Sequence, residues 1–224
     1  MEKVTKLADL FWQRSVRNSV RCSGVSLHGG DTVSLAIHPA APDSGIIFHR
    51  TDVPADVCDI PAHCDYIGST ELCTTLVNEH GVRVATVEHL MAALAGCNID
   101  NAIIELDGPE IPIMDGSAEP FVALIEKAGT VEQDFPRRMI KVLRPVTVRD
   151  GESVVSLEPY DGFSITLDID FNSAAIGRQG LSLDVSSPAF KADICRARTF
   201  GFLHEVQAMV KAGFARGGSL DNAV

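Results

Sequence analysis

The sequence predicts an α+β protein made of two similar domains, each an antiparallel-rich sheet layered with two helices, the second incomplete. Three observations predict it. Apolar and polar residues alternate along DTVSLAIHPA (31–40) and again in SGIIFHR (44–50), the period of half-buried strands. The period becomes helical over VEHLMAALAGC (87–97), where Val87, Leu90, Met91, Leu94 and Ala95 share one face. The strand, Pro-containing turn and strand of 152–171 then repeat the plan of 31–50.

Taken in order, CTTLVNEHGVRVAT (73–86) reads as two strands around an Asn-Glu-His-Gly turn. Thr86 is the expected N-cap of the helix, which stops at Gly96 or just beyond. NAIIELDG (101–108) is the next strand. IPIMDGSAEPFVALIEKAG (111–129) starts as a Pro-rich connection, turns at Asp115-Gly116 and becomes a second amphipathic helix capped near Gly129. These elements form a first domain over 1–131, with 1–14 as an N-terminal extension. The polar stretch 132–138, with Glu132, Gln133, Asp134 and Pro136, reads as a linker. A second domain is expected over 139–224. In it a helical stretch over 188–213 follows the strands, and GGSLDNAV reads as a glycine turn entering a strand. This half has no counterpart of the strand, turn and helix at 101–129. It is therefore expected to be a fragment, a natural truncation, or a unit completed by a partner.

With 46% apolar residues the chain must fold, and its net charge of -11, with no basic stripe, argues against nucleic acid and anionic lipid surfaces. Two Tyr and one Trp offer little for base stacking, which weakens a nucleic-acid-binding reading of the two-layer fold. No apolar run approaches the roughly 20 residues of a membrane span. Glu2 and Asp9 interrupt the N-terminus, and no signal-length apolar run follows, so a cytoplasmic protein is expected. Its six cysteines have no C-x-x-C spacing and read as reduced thiols; Cys58, His63 and Cys64 alone do not make a metal site.

For chemistry, the residues to weigh are the adjacent Glu88 and His89. As neighbours in a first helical turn they lie about 100° apart and both reach one site. A neutral imidazole suits zinc, and a carboxylate kept ionised by the helix N-terminus suits proton abstraction from water, but taken alone a Glu-His pair is far more often a solvated helix turn. His28, in the glycine-flanked GVSLHGG, is the other histidine able to approach a site closely. Asp107, Glu110 and Asp115 are acidic enough for a cation but read as turn and cap residues. No P-loop or dinucleotide-binding glycine pattern is present.

TVEHLMAALAGCNIDNAIIELDGPEIPIMDGSAEPF (86–121), with GVSLHGG (24–30), LCTTLVNEHGVRVATVEHL (72–90), RARTFGF (196–202) and GGSLDNA (217–223), closely resembles the UDP-3-O-acyl-N-acetylglucosamine deacetylase family. These are zinc amidases of lipid A synthesis in Gram-negative bacteria. The resemblance runs from about Ser15 to Val224. It implies two domains of similar fold packed face to face, with the site between them, and a UDP-linked acylated glucosamine as substrate. Residue by residue it implies that His89 is a Zn2+ ligand, that Glu88 is the general base, and that Thr199 hydrogen-bonds near the scissile amide. Phe200 would pack against substrate. Phe202, Val206, Phe214, Ala215, Ser219 and Ala223 would line an acyl-chain passage in an insert at about 196–224. In the family pattern the remaining zinc ligands, a lysine and a second histidine follow the position of Val224, so the resemblance implies an incomplete ligand set in these residues. A monomer is expected. The competing expectation is an inactive homologue that binds the UDP-lipid or a regulatory partner.

Overall fold

A computed structural model describes residues 11–223. Most of the expected N-terminal extension, residues 1–10, lies outside the described residues. Residues 12–14 belong instead to the first strand. In chain order the elements of the first half are β1 (Trp12–Val16), β2 (Val20–Val25), β3 (Thr32–Pro39), β4 (Ile46–Arg50), β5 (Asp59–Pro61), β6 (Ile67–Ser69), β7 (Thr75–Val77), β8 (Arg83–Val84), α1 (Glu88–Gly96), β9 (Ala102–Leu106), α2 (Glu119–Ala128) and β10 (Thr130–Pro136). The α+β class is borne out.

The main sheet has the order β2-β3-β9-β4-β5, antiparallel except for the parallel pair β4–β9. A parallel pair needs a long crossover, and residues 51–101 with α1 supply it. Register places Val20, Ile37, Ile104, Phe48 and Ile60 side by side across all five strands. All five are buried, which is the packed face that the alternation in the sequence encodes. Leu90, Ala93 and Leu94 of α1 and Phe121, Val122, Ile125 and Ala128 of α2 are buried too, with α2 against β2 and the helices against each other. Local chemistry sets the ends of α2. Asp115 Oδ1 accepts from Ser117 N at 2.9 Å, Ser117 Oγ accepts from Glu119 N at 3.1 Å, Pro120 fills the first turn, and Gly129 leaves the helix at φ 69°.

The expected linker is a strand for most of its length. β10 pairs antiparallel with β1, and its Gln133 side chain turns inward. Asn101 Nδ2 donates to Gln13 Oε1 at 2.8 Å and to Gln133 Oε1 at 2.7 Å, while Gln133 Nε2 donates to Ala40 O at 2.8 Å. Arg137, at the far end, pairs with Asp100 at 2.7 Å. Gln133, which reads as part of a solvated linker, is here a partner of the buried Asn101 amide, which cannot be left unpaired cheaply.

The chain separates into two compact units, one of residues 11–137 with 191–223 and one of 138–190. The segment 191–223 thus groups with the first half, whereas the sequence reading assigned it to a second domain. The 138–190 unit holds two hairpins, β11 (Val146–Asp150) with β12 (Ser153–Leu157) and β13 (Ser164–Asp170) with β14 (Arg178–Asp184). Val146, Val148, Val155 and Leu157 form an exposed apolar face on the first hairpin, and Leu167 pairs with Leu181 on the second. The helical stretch expected over 188–213 is broken. A helical turn covers Ser187–Ala189 and Phe190–Ile194, and α3 spans Leu203–Lys211. Between them Arg198 Nε donates to Asp115 O at 2.6 Å and Thr199 N to Gly116 O at 2.8 Å, drawing that backbone out of a helix. The strand expected in GGSLDNAV is a pair of turns instead, with Ser219 N donating to Asn222 Oδ1 at 2.8 Å.

Phe121→Ala should destabilise the 11–137 unit by about 3–5 kcal/mol, because a fully buried ring leaves a cavity between α2 and its neighbours. Urea unfolding followed by circular dichroism checks this. A loss below about 1 kcal/mol would mean that the ring is not part of a close-packed core.

Candidate active site

The start of α1 is fixed from three directions. Thr86 is not its N-cap. Val87 occupies that position without a side-chain hydrogen bond, so Glu88 and His89 are the first two helical residues. Thr86 takes φ 59°, a left-handed backbone that costs a β-branched residue about 1–3 kcal/mol, and its hydroxyl donates to Glu110 Oε1 at 2.9 Å. The buried Glu110 carboxylate also accepts from His28 N at 2.9 Å and from Gly29 N at 2.8 Å. One carboxylate therefore ties the 26–31 loop to the residue that precedes the helix.

Glu88 is half-buried, and its Oε2 accepts from Thr74 N at 3.1 Å, which aims the carboxylate back over the hairpin that precedes the helix. His89 is half-buried, and among the described residues its ring has no hydrogen-bond partner. A neutral imidazole with a free nitrogen beside a carboxylate is a donor set that fits a metal ion and a base. The groups of three close-set metal donors among the described residues lie elsewhere, at His49–Cys58–Asp59 and His63–Cys64–Asp65, and His89 belongs to neither.

His28 reaches the same neighbourhood from the glycine loop. Its imidazole is raised, first by pairing with the Cys73 thiol and then by the charges of Glu110 and Glu88, against the opposing effect of burial. The same pairing lowers Cys73 below the ordinary thiol range. Neither buried ring nitrogen closes a well-directed hydrogen bond with a described residue, so the pairing is electrostatic rather than a formed bond of good geometry. The sequence reading counted Cys73 among scattered thiols and Glu110 among turn residues. The only signals were the glycines around His28 and the placement of Glu110 between Pro109 and a buried isoleucine run.

The 191–223 segment brings some of the predicted substrate residues to this site. Phe214 meets His28 edge-on, ring centroids 5.9 Å apart, and Gly217 N donates to Leu27 O at 2.9 Å. Close approach explains two glycines: a side chain at Gly217 would strike the Ser26 carbonyl, and one at Gly116 the Asn222 carbonyl. Ala215 is buried beside this contact, and Ser219 and Ala223 lie in the turn that Asn222 holds. Thr199 is anchored at Gly116. Phe200 and Phe202 meet edge-on at 5.9 Å, near the start of α3, and no residue of α3 is buried, including the half-exposed Val206. The structure thus separates the predicted lining into a group at His28 and a group at α3. All six cysteines are unpaired.

A family model described as UDP-3-O-acyl N-acetylglycosamine deacetylase matches residues 13–224. The chain is 48% identical over 214 residues, 95% of its own length and 70% of the relative's, to a UDP-3-O-acyl-N-acetylglucosamine deacetylase of Histophilus somni (strain 129Pt). It is 48% identical over 217 residues, covering 96% of the chain and 71% of the relative, to the protein of that name from Shewanella baltica (strain OS155 / ATCC BAA-1091). It is 49% identical over 214 residues, 95% and 70% of the two lengths, to that of Teredinibacter turnerae (strain ATCC 39867 / T7901).

Two measurements follow from this geometry. Glu110→Gln puts an amide NH2 where N–H and O–H donors point, and should cost about 1–3 kcal/mol in urea unfolding; an unchanged midpoint would show that the clamp is dispensable. Because His28 lowers Cys73, iodoacetamide should label Cys73 at a pH where the buried thiols are still protonated, and His28→Ala should move its labelling profile to higher pH. A profile that stays in place would show that the imidazole does not stabilise the thiolate.

Proposed function

Because the chain belongs to the UDP-3-O-acyl N-acetylglycosamine deacetylase family, we propose that it acts on the N-acetyl group of UDP-3-O-(3-hydroxyacyl)-N-acetylglucosamine, releasing acetate, the committed step of lipid A biosynthesis. The observation that carries this reading is the Glu88–His89 pair at the mouth of α1, where, among the described residues, the imidazole is unpartnered and the carboxylate is held by one backbone N–H.

In this reading His89 is the ligand that the described residues offer to zinc. Zinc, when bound, would polarise the acetamide carbonyl and acidify water. Glu88 removes a proton from the attacking water as oxygen bonds to the carbonyl carbon. Thr74 N–H fixes the direction of the Glu88 carboxylate. The C–N bond then breaks, the amine takes the proton that Glu88 accepted, and acetate leaves. Thr199 is read as a hydrogen-bonding partner of the amide. Phe200, Phe202, Val206, Phe214, Ala215, Ser219 and Ala223 are read as contacts for the acyl chain, supported for Phe214 by its packing on His28. We read the protein as cytoplasmic and monomeric; no helix among the described residues is long and apolar enough to cross a membrane.

One observation favours a second reading. A catalytic zinc ordinarily takes three protein ligands, and His89 is not part of any three-donor group among the described residues. A non-catalytic homologue would bind the UDP-lipid without cleaving it, and its binding would be indifferent to chelators.

Acetate release from the UDP-linked substrate separates the two. Under the deacetylase reading Glu88→Ala should lower turnover by about 10²–10⁴-fold while zinc content, measured by atomic absorption, stays unchanged. Substrate binding with no acetate released by the wild-type chain would instead establish the binding reading, and full activity in Glu88→Ala would remove Glu88 from its role.

A further inference from the structure

We propose that His49, Cys58 and Asp59 form a second cation site, selective for zinc-class ions and separate from the Glu88–His89 pair. Register puts His49 of β4 directly opposite Asp59 of β5, on the sheet face away from Phe48 and the core. The ligand atoms converge. His49 Nδ1 lies 2.6 Å from Asp59 Oδ1, and Cys58 Sγ lies 3.4 Å from that nitrogen and 3.6 Å from that oxygen.

Those distances select a chemistry. Zinc bonds of about 2.0–2.1 Å to nitrogen and oxygen and about 2.3 Å to sulfur, at a tetrahedral angle, set S···N and S···O edges of about 3.5 Å and an N···O edge of about 3.3 Å. Both sulfur edges are already in place. The remaining edge is a hydrogen bond that opens when the Nδ1 proton passes to Nε2 through solvent and the ion takes its place, while the thiol proton is released to water. A thiol–imidazole–carboxylate relay would need the sulfur directed at the ring nitrogen opposite the carboxylate, whereas Cys58 Sγ lies nearer Nδ1, the nitrogen that Asp59 holds, at 3.4 Å than Nε2 at 3.9 Å. Nitrogen, sulfur and oxygen together favour zinc over magnesium or calcium, with water in the fourth position.

The site is built and open. Buried Asn78 donates to Val57 O at 2.8 Å and to Asp59 O at 3.0 Å, and Arg50 N donates to Cys58 O at 3.0 Å, so the main chain on both sides of Cys58 is held. Cys58 is buried, while the His49 and Asp59 side chains are 36% and 62% exposed and give an ion its way in. Beside them a cleft of about 250 Å³, walled by Asp56, Cys58, Asp59, Asn78 and His80, leaves room for bound water. The His63–Cys64–Asp65 group lacks this support: its members are consecutive and exposed, and His63 Nδ1 already accepts from Asp65 N. An ion at His49, Cys58 and Asp59 would staple the 51–58 loop to the edge of the main sheet.

The test is a cobalt titration of the full chain carrying Cys64→Ser and Cys73→Ser, which removes the other thiols beside an imidazole. One equivalent of Co2+ should give a thiolate-to-cobalt charge-transfer band. Adding Cys58→Ser should abolish it, His49→Gln should weaken binding at least about 100-fold, and zinc should slow alkylation of Cys58 and raise the melting temperature. His49→Gln, at a partly exposed position, reads the same point if Cys58→Ser does not fold. A band that survives Cys58→Ser, or no band in the folded starting protein, would overturn the assignment.

Discussion

Three hydrogen bonds to Glu110 set the geometry on which the candidate site depends. The carboxylate is buried between the 26–31 loop and the turn before α1. A buried charge is tolerated only when its acceptor capacity is met, and here two backbone N–H groups and one hydroxyl meet it. The same bonds hold Thr86 in a left-handed conformation that a β-branched residue avoids. Strain at Thr86 and charge at Glu110 therefore offset each other, and together they fix where Glu88 and His89 leave the hairpin. Main-chain bonds between Ala85 and Pro109 and between Ile111 and Ala85 hold the two segments in step, so the clamp cannot slide along the chain.

Periodicity made the first half legible. The alternation of 31–50 became β3 and β4, the helical period became α1 and α2, and 101–108 became β9, because in each case one face is buried and the pattern records burial. Polar residues with buried partners were illegible for the complementary reason. Gln133 looks the same in sequence whether it faces water or Asn101, and only the fold brings residues 32 positions apart into a 2.7 Å contact. β11 was missed too: read alone, residues 146–150 gave no reason to place a strand before 152.

The segment after residue 190 shows a further limit. Its apolar spacing suggested a continuous helix, yet Arg198 and Thr199 bond to the 115–116 turn and the chain crosses to the first half. Glycines made that docking possible, but Gly116 and Gly217 read equally well as ordinary turn residues; the carbonyls they accommodate are about 100 and 190 positions away in sequence. His28 was recognisable as a histidine able to approach a site. Its neighbour Cys73 was not, since a thiol's character depends on what stands beside it.

Acceptor accounting separates the two carboxylates nearest the site better than their positions in sequence do. A carboxylate has about four lone-pair directions. Glu110 has three of them occupied by protein donors and is buried, so it works as a tie. Glu88 has one occupied by Thr74 N–H and is half-buried, which leaves it oriented and accessible at once. A general base needs that combination, because an unheld carboxylate samples many directions and a saturated one has no free lone pair facing water. The same accounting distinguishes His89, with its ring unpartnered among the described residues, from His38, whose two nitrogens meet Ser19 at 2.8 Å and Glu105 at 3.0 Å. At the helix start a carboxylate is thus oriented with bonding capacity left, next in sequence to an imidazole that is unpartnered among the described residues.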